Sequence, residues 1–236
     1  MMMMTNKNEF LFDCDTIYQI STSIAISNGC LDGFLTLKEI KRLGNFGIGS
    51  ITGLEGEIIY LNDEFHHFSD NGLTNRTNED FMSPRMLITN FKSKNMIEIN
   101  QNTTYQKIKK IIESSMPTQN IMYAIKIIGV FNWVKIKCFP KQIKPYPQGP
   151  IELTCHENAL ELQNISGVLV GYFMTDLFKK VNSSKYHFHF MSADKKHGGH
   201  LVDCQITNCN IEIDSKHNLM LFLPNTSTYY NVDLIG

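Results

Sequence analysis

Tyr186-His187-Phe188-His189-Phe190, followed after a short polar stretch by Lys196-His197-Gly198-Gly199-His200, is the run whose reading decides the fold. In a strand successive side chains point to opposite faces, so His187 and His189 share one face and Tyr186, Phe188 and Phe190 take the other. The polar run from Ser192 to Gly199 is a loop with a glycine pair at its far end. His200-Leu201-Val202-Asp203-Cys204-Gln205-Ile206 then reads as the returning arm of a hairpin. A register with residue 189 opposite residue 200 brings His200 onto the face of the other two. Cross-strand neighbours lie about 4.5–5.5 Å apart at Cβ, which suits three nitrogen ligands on one first-row metal ion. Three protein ligands and an open position mark a catalytic rather than a structural site. The competing reading, polar positions on a half-exposed sheet face, fits one histidine better than three so arranged.

Outward from this hairpin, the chain alternates strands with a few short helices. Thr36-Leu37-Lys38-Glu39 is a capping box, and Leu37, Ile40 and Leu43 form its apolar stripe before a stop at Gly44. Gly44-Asn45-Phe46-Gly47-Ile48-Gly49-Ser50 follows a helix and enters a strand. That is the reverse of a nucleotide loop, so its glycines read as points of close backbone approach. Residues 57–61 and 64–68 form a hairpin turning at Asn62-Asp63, in which His66 and His67 point apart and cannot chelate together. Glu57 opens a buried strand, a place where an acid is either solvated at the strand end or catalytic. Residues 103–115 form a helix with Tyr105, Ile108, Ile111 and Ile112 inward. Two β runs follow, 121–128 and 131–139, with Gly129 at the turn and with Lys135 and Lys137 on one face. Asn210 to Ile213 and Asn218 to Leu223 are later β runs. The expected fold is α+β, with mixed, mainly antiparallel sheets in two packed halves and a few short helices. The proline-rich stretch 140–150 is the expected crossing between halves, and residues 1–12 are a flexible tail ahead of a catalytic domain spanning 13–236.

Composition narrows the function. With 22 basic and 23 acidic residues in 236, and no basic stripe, the chain carries no electrostatic signature of nucleic-acid binding. No stretch of eighteen apolar residues and no secretory leader is present in the sequence, so a cytoplasmic protein with no membrane partner is expected. Cys14, Cys30, Cys138, Cys155, Cys204 and Cys209 lack paired C-x-x-C spacing and read as reduced thiols. Cys204 and Cys209, five apart, are expected on opposite strand faces in structural roles.

Taken together, these residues resemble the bacterial acetolactate decarboxylases. The matching stretches run in the family's order from about residue 16 to 234: Tyr18-Gln19-Ile20-Ser21-Thr22, Asn28-Gly29 with Asp32-Gly33, Asn45-Phe46-Gly47-Ile48-Gly49, Gly53-Leu54-Glu55-Gly56-Glu57, Tyr123-Ala124-Ile125-Lys126-Ile127, Lys144-Pro145-Tyr146, Gly167-Val168-Leu169-Val170-Gly171-Tyr172-Phe173, the histidine strand, and Gly198-Gly199-His200-Leu201-Val202-Asp203. The resemblance implies that His187, His189 and His200 bind Zn2+, that Glu57 is the carboxylate beside it, and that Ser50 keeps the hydroxyl of a family threonine. The family's active-site arginine falls on Lys137, which keeps the charge without the planar fork. Arg42, Arg76 and Arg85 are the chain's arginines, so no guanidinium is available nearby in sequence. The family also carries a C-terminal tail whose acidic residue returns to the site, and this sequence ends at Gly236.

The implied reaction is decarboxylation of 2-acetolactate, a 2-hydroxy-3-keto acid, to acetoin and carbon dioxide. The metal polarises the ketone and hydroxyl, Glu57 delivers a proton, Lys137 orients the carboxylate, and no organic cofactor takes part. The family suggests a homodimer. Two alternatives are a degenerate zinc-binding homologue without activity and a cupin-like metal oxygenase. The latter calls for a glutamate four to five residues after the second histidine, where this chain has Asp194.

Overall fold

The computed structural model describes residues 14–93, 95–146, 159–179, 181–182 and 185–234. The expected tail, Cys155 and the end of the proline-rich stretch lie outside them. The first sheet runs in the order Asn218–Phe222, Thr16–Ile20, Arg85–Thr89, Phe46–Ile51, Glu55–Leu61, Glu64–Phe68, Thr74–Asn75, antiparallel except for its first pair. The second is antiparallel and is built on Gly198–Lys216, Met122–Lys137, Leu160–Phe173 and Tyr186–Ser192. Tyr186–Ser192 pairs back onto the start of Gly198–Lys216, so these four strands close on one another.

Alternation along the strands decides how the sheets stack. Ile17, Ile48, Ile59 and Leu87 of the first sheet meet Ala124, Val168, Val170 and Tyr172 of the second in a shared core. Their neighbours Tyr18, Ile58, Met86 and Ile88 face outward, where they pack on Leu37 and Ile40 of the capped helix. On the far side of the second sheet, Ile125, Leu169, Phe188 and Phe190 pack with Ile108 and Ile112 of the helix Tyr105–Ser115. The result is the expected α+β architecture of mainly antiparallel sheets, and no helix among the described residues is long and apolar enough to cross a membrane.

Several local expectations hold. Thr36 and Glu39 form both halves of the capping box. Asn62 and Asp63, both at positive φ, turn the 57–68 hairpin with Leu61 opposite Glu64. Gly49 lies where a Cβ would stand 2.5 Å from the Arg85 carbonyl oxygen. Others are corrected. Gly129 makes no turn: Met122–Lys137 is one strand, with Gly129 between Gly167 and Cys209. A Cβ there would meet Asn208 O at 2.3 Å, so the glycine marks close approach inside the sheet. Asn210 to Ile213 is likewise part of the long strand Gly198–Lys216. Cys204 and Cys209 share a face and a core, because the register shift opposite Val130 and Phe131 leaves Thr207 as an extra residue and resets the alternation. The stop at Gly44 holds: it ends the helical stretch Lys41–Leu43 in extended backbone (φ 172°), where a Cβ would stand 2.3 Å from Thr89 O. The chain passes between sheets after Arg85–Thr89 and again between Lys216 and Asn218. The proline-rich stretch instead joins two strands of one sheet, and its described part reaches over to the first sheet through Gly56 N to Phe139 O and Gln142 N to Gly53 O.

Gly56 has a positive φ (63°) and a Cβ there would lie 2.0 Å from Phe68 O. This turn delivers Glu57 into the space between the sheets. Gly56→Ala is expected to cost about 3 kcal/mol or more, strain and overlap combined. Thermal melting of the variant against the parent checks this.

Candidate metal centre

Phe188 and Phe190 fill the far core, with Phe188 edge-on to Tyr105 and Phe190 to Phe131. That commits His187 and His189 to the face turned toward the first sheet, since a one-residue slip would exchange the two sets. Gly198 pairs with Met191, Gly199 with Phe190 and His200 with His189, the register expected from sequence. Gly199 is needed for this closure: a Cβ would stand 2.7 Å from Cys138 Sγ.

The three histidines each present a nitrogen within 4.8 Å of the others, the one such cluster found among the described residues. Nε2 of His187 and Nε2 of His189 are 3.2 Å apart. Two ligands at 2.0–2.1 Å from a tetrahedral ion stand about 3.3 Å apart, so the spacing fits. His189 Nδ1 lies 2.9 Å from Ile58 O and donates to it, which leaves the Nε2 lone pair aimed at the cluster. Burial holds all three imidazoles below their ordinary pKa, His189 at about 3, so they stand as neutral ligands. His66 and His67 take no part; His67 Nε2 is occupied by Glu55 O at 2.9 Å. Asp194 caps its own turn through Ser192 Oγ and Lys196 N, away from the cluster.

Glu57 enters from the first sheet, 4% exposed, with Oε2 3.1 Å from His189 Nε2. Burial pushes its carboxyl well above the usual range, against the opposing pull of Arg85 and Lys137. Glu57 Oε1 is buried with no hydrogen-bond partner among the described residues. Lone pairs of two imidazoles beside an unsatisfied carboxyl are what a divalent cation would satisfy. Three neutral imidazoles with room for further oxygen ligands suit a divalent first-row ion.

A cavity of about 180 Å³ opens on this cluster, and Ser50, Glu57, Lys137, His187, His189 and His200 all line it. It is below the size of drug-binding pockets and suits a substrate of few heavy atoms. The first sheet supplies Ser50, Glu57 and Leu87; the second supplies the histidines and Lys137. Lys137 pairs with His200 across its strand, and its Nζ sits 5.5 Å from the Phe139 ring centre. Lys135 does not line the cavity; it lies in register with Asp203 and Glu161. A larger cavity of about 870 Å³ lies beside Asn28, Lys144, Tyr146 and Thr228; there Lys144 is paired to Asp32 at 2.7 Å.

One lining residue escaped the sequence reading. Arg85, opposite Ser50 on the adjacent strand and distant from Lys137 in sequence, also lines the cavity. Burial lowers its pKa to about 10, with Glu57 pulling the other way, and it is charged at neutral pH. The available signal was its place at the head of the apolar run Met86-Leu87-Ile88, the same position that Glu57 holds in its own strand.

Comparison with known proteins agrees with this geometry. The alpha-acetolactate decarboxylase family model matches residues 17–235. The alpha-acetolactate decarboxylase of Brevibacillus brevis is 32% identical over 220 residues, covering 93% of this chain and 77% of the relative. The crystal structure of the Bacillus subtilis enzyme superposes with a TM-score of 0.89 at 32% identity, covering 94% of each chain. A Staphylococcus aureus protein of unknown function, described as similar to alpha-acetolactate decarboxylase, superposes with a TM-score of 0.86 at 28% identity, covering 93% of this chain and 95% of that one. With the family model matching nearly its whole length and its fold shared with the Bacillus subtilis enzyme, the chain belongs to the alpha-acetolactate decarboxylase family.

Proposed function

We propose that this chain converts 2-acetolactate to acetoin and carbon dioxide, with zinc held by His187, His189 and His200. The observation that carries the reading is three imidazole nitrogens within 4.8 Å of one another, beside a buried carboxyl, in a cavity of about 180 Å³. Bound there, zinc would supply Lewis acidity toward the substrate's oxygens, stabilising the negative charge that grows on the ketone oxygen as carbon dioxide leaves. The bond between the carboxyl carbon and C2 breaks, and its electron pair passes toward the neighbouring ketone. Glu57, buried beside the histidines, hands a proton to C2 and completes acetoin. Ser50, 5% exposed, offers a hydroxyl to a substrate oxygen. Lys137 faces the departing carboxylate from the second sheet. Ile26, Ile48, Leu54 and Leu87 line the remaining wall and exclude water.

The test is acetoin formation from racemic 2-acetolactate by zinc-loaded protein. Full zinc occupancy without acetoin would remove the reading. Lys137→Met is expected to lower kcat/KM about tenfold, or about 1.4 kcal/mol, while Lys137→Arg holds it at or above the parent value. Lys135→Met, which changes a side chain outside the cavity, is the control expected to leave the rate unchanged.

A further inference from the structure

Arg85 is a cation in search of an anion. Its side chain lines the cavity, yet no carboxylate among the described residues lies within 4.0 Å of it. A guanidinium held among protein walls without an anionic partner is costly unless something arrives to neutralise it. The surroundings nevertheless fix it in place. Nη2 donates to Asn182 Oδ1 at 3.1 Å. Asn182 Nδ2 in turn donates to Gln19 Oε1 at 3.1 Å, and Gln19 Nε2 donates to the carbonyls of Ser21 and Val181 at 2.9 and 3.1 Å. Gln19 and Asn182 are 0% and 3% exposed. The backbone is tied as well: the Ser83 hydroxyl bridges Ser50 O at 2.8 Å and Arg85 O at 2.9 Å. This is how a binding group is pre-organised, with one edge anchored and the others left toward the ligand.

We propose that Arg85 is the residue that takes the substrate carboxylate, supplying from the first sheet the planar fork that Lys137 lacks on the second. The assignment rests on the decarboxylase reading for its substrate, a 2-hydroxy-3-keto acid, and on this chain's own residues for its geometry. The two cations reach the cavity from opposite sheets, so a carboxylate between them is held from both sides. The fork does what an ammonium does less well. Two parallel N–H donors fix the plane of the carboxylate, and with it the direction of the bond to C2 that must break. Alignment of that bond with the ketone's π system lets the electron pair pass to it, while carbon dioxide leaves with no proton to return. Arg85 thus sets specificity for an acid and orients it; Glu57 remains the proton donor.

The experiment compares two non-reacting probes in zinc-loaded protein by calorimetry: 2,3-dihydroxy-2-methylbutanoate, and 2-methylbutane-2,3-diol, which carries a methyl group in place of the carboxylate. The parent should prefer the acid. Arg85→Met should reduce that preference about 100-fold and Arg85→Lys about tenfold, with zinc content and diol affinity unchanged. Should Arg85→Met fail to fold, Arg85→Lys and Asn182→Ala carry the test, the latter releasing the anchored edge and weakening the preference a few-fold with Arg85 intact. An acid preference unchanged in the Arg85 variants but lost in Lys137→Met overturns the assignment. A parent that prefers the acid through Arg85 yet makes no acetoin overturns the decarboxylase reading and leaves Arg85 as an acid-binding residue. A parent that makes acetoin while every Arg85 variant keeps the full preference does the reverse.

Discussion

His189→Ala is expected to lower zinc affinity by about 100-fold or more and to abolish acetoin formation. Altering even an outer partner of a metal ligand costs about 10–100-fold, and His189 itself is central here. Its Nε2 is the atom nearest both His187 and Glu57, at 3.2 and 3.1 Å. Its Nδ1 bond to Ile58 O also ties the second sheet to the first. Stability supplies an independent measurement. An ion present at 100 times its dissociation constant stabilises the folded state by about 2.7 kcal/mol. For a chain of this size that raises the melting temperature by roughly 5–10 °C. The parent should show this rise on adding zinc and lose it to a chelator, and His189→Ala should show neither change. A parent whose melting is indifferent to zinc would remove the metal centre from the account.

The second large effect is expected from Glu57→Gln, which keeps shape and burial but cannot deliver the proton. Proton transfer by a placed side chain contributes about 10²–10⁴-fold, so kcat should fall by that factor while zinc content and the affinity for the acid probe hold. Because burial disfavours the charged carboxylate at position 57, an amide of the same shape should cost little stability. Elemental analysis beside steady-state kinetics separates the outcomes. Loss of zinc with loss of rate would make Glu57 a metal-holding residue, and an unchanged rate would make it a structural one.

The histidine hairpin was legible because everything that builds it is local. Period-two alternation, an aromatic face, a polar loop and a glycine pair act within fifteen residues, and together they set which side chains share a face. The capping box at Thr36, the turn at Asn62-Asp63 and the helix stripe from Tyr105 to Ile112 were legible for the same reason: each is a hydrogen-bonding or periodicity rule spanning three to eight positions. Family resemblance then added Glu57, Ser50 and Lys137, which lie 50 or more positions before His187 and so share no local signal with the hairpin. Misreadings fell where a residue type has two uses. Gly129 suits a turn or a close pass between strands, and only its neighbours Gly167 and Cys209 decide which. The face of Cys209 depended on an extra residue at Thr207 that becomes visible only against the partner strand.

The sequence by itself therefore determined the histidine face, the short helices, the turns and the family. Tertiary structure decided that a seven-stranded sheet faces that site, and that Arg85, 52 positions before Lys137, points into the same cavity. The physical reason is that pairing between distant strands is set by the packing of whole faces, where Ile48, Ile59 and Leu87 meet Val168, Val170 and Tyr172. A charged residue at the head of an apolar strand reads the same in sequence whether its strand end opens to solvent or onto a buried metal site, and only the opposing sheet closes that end.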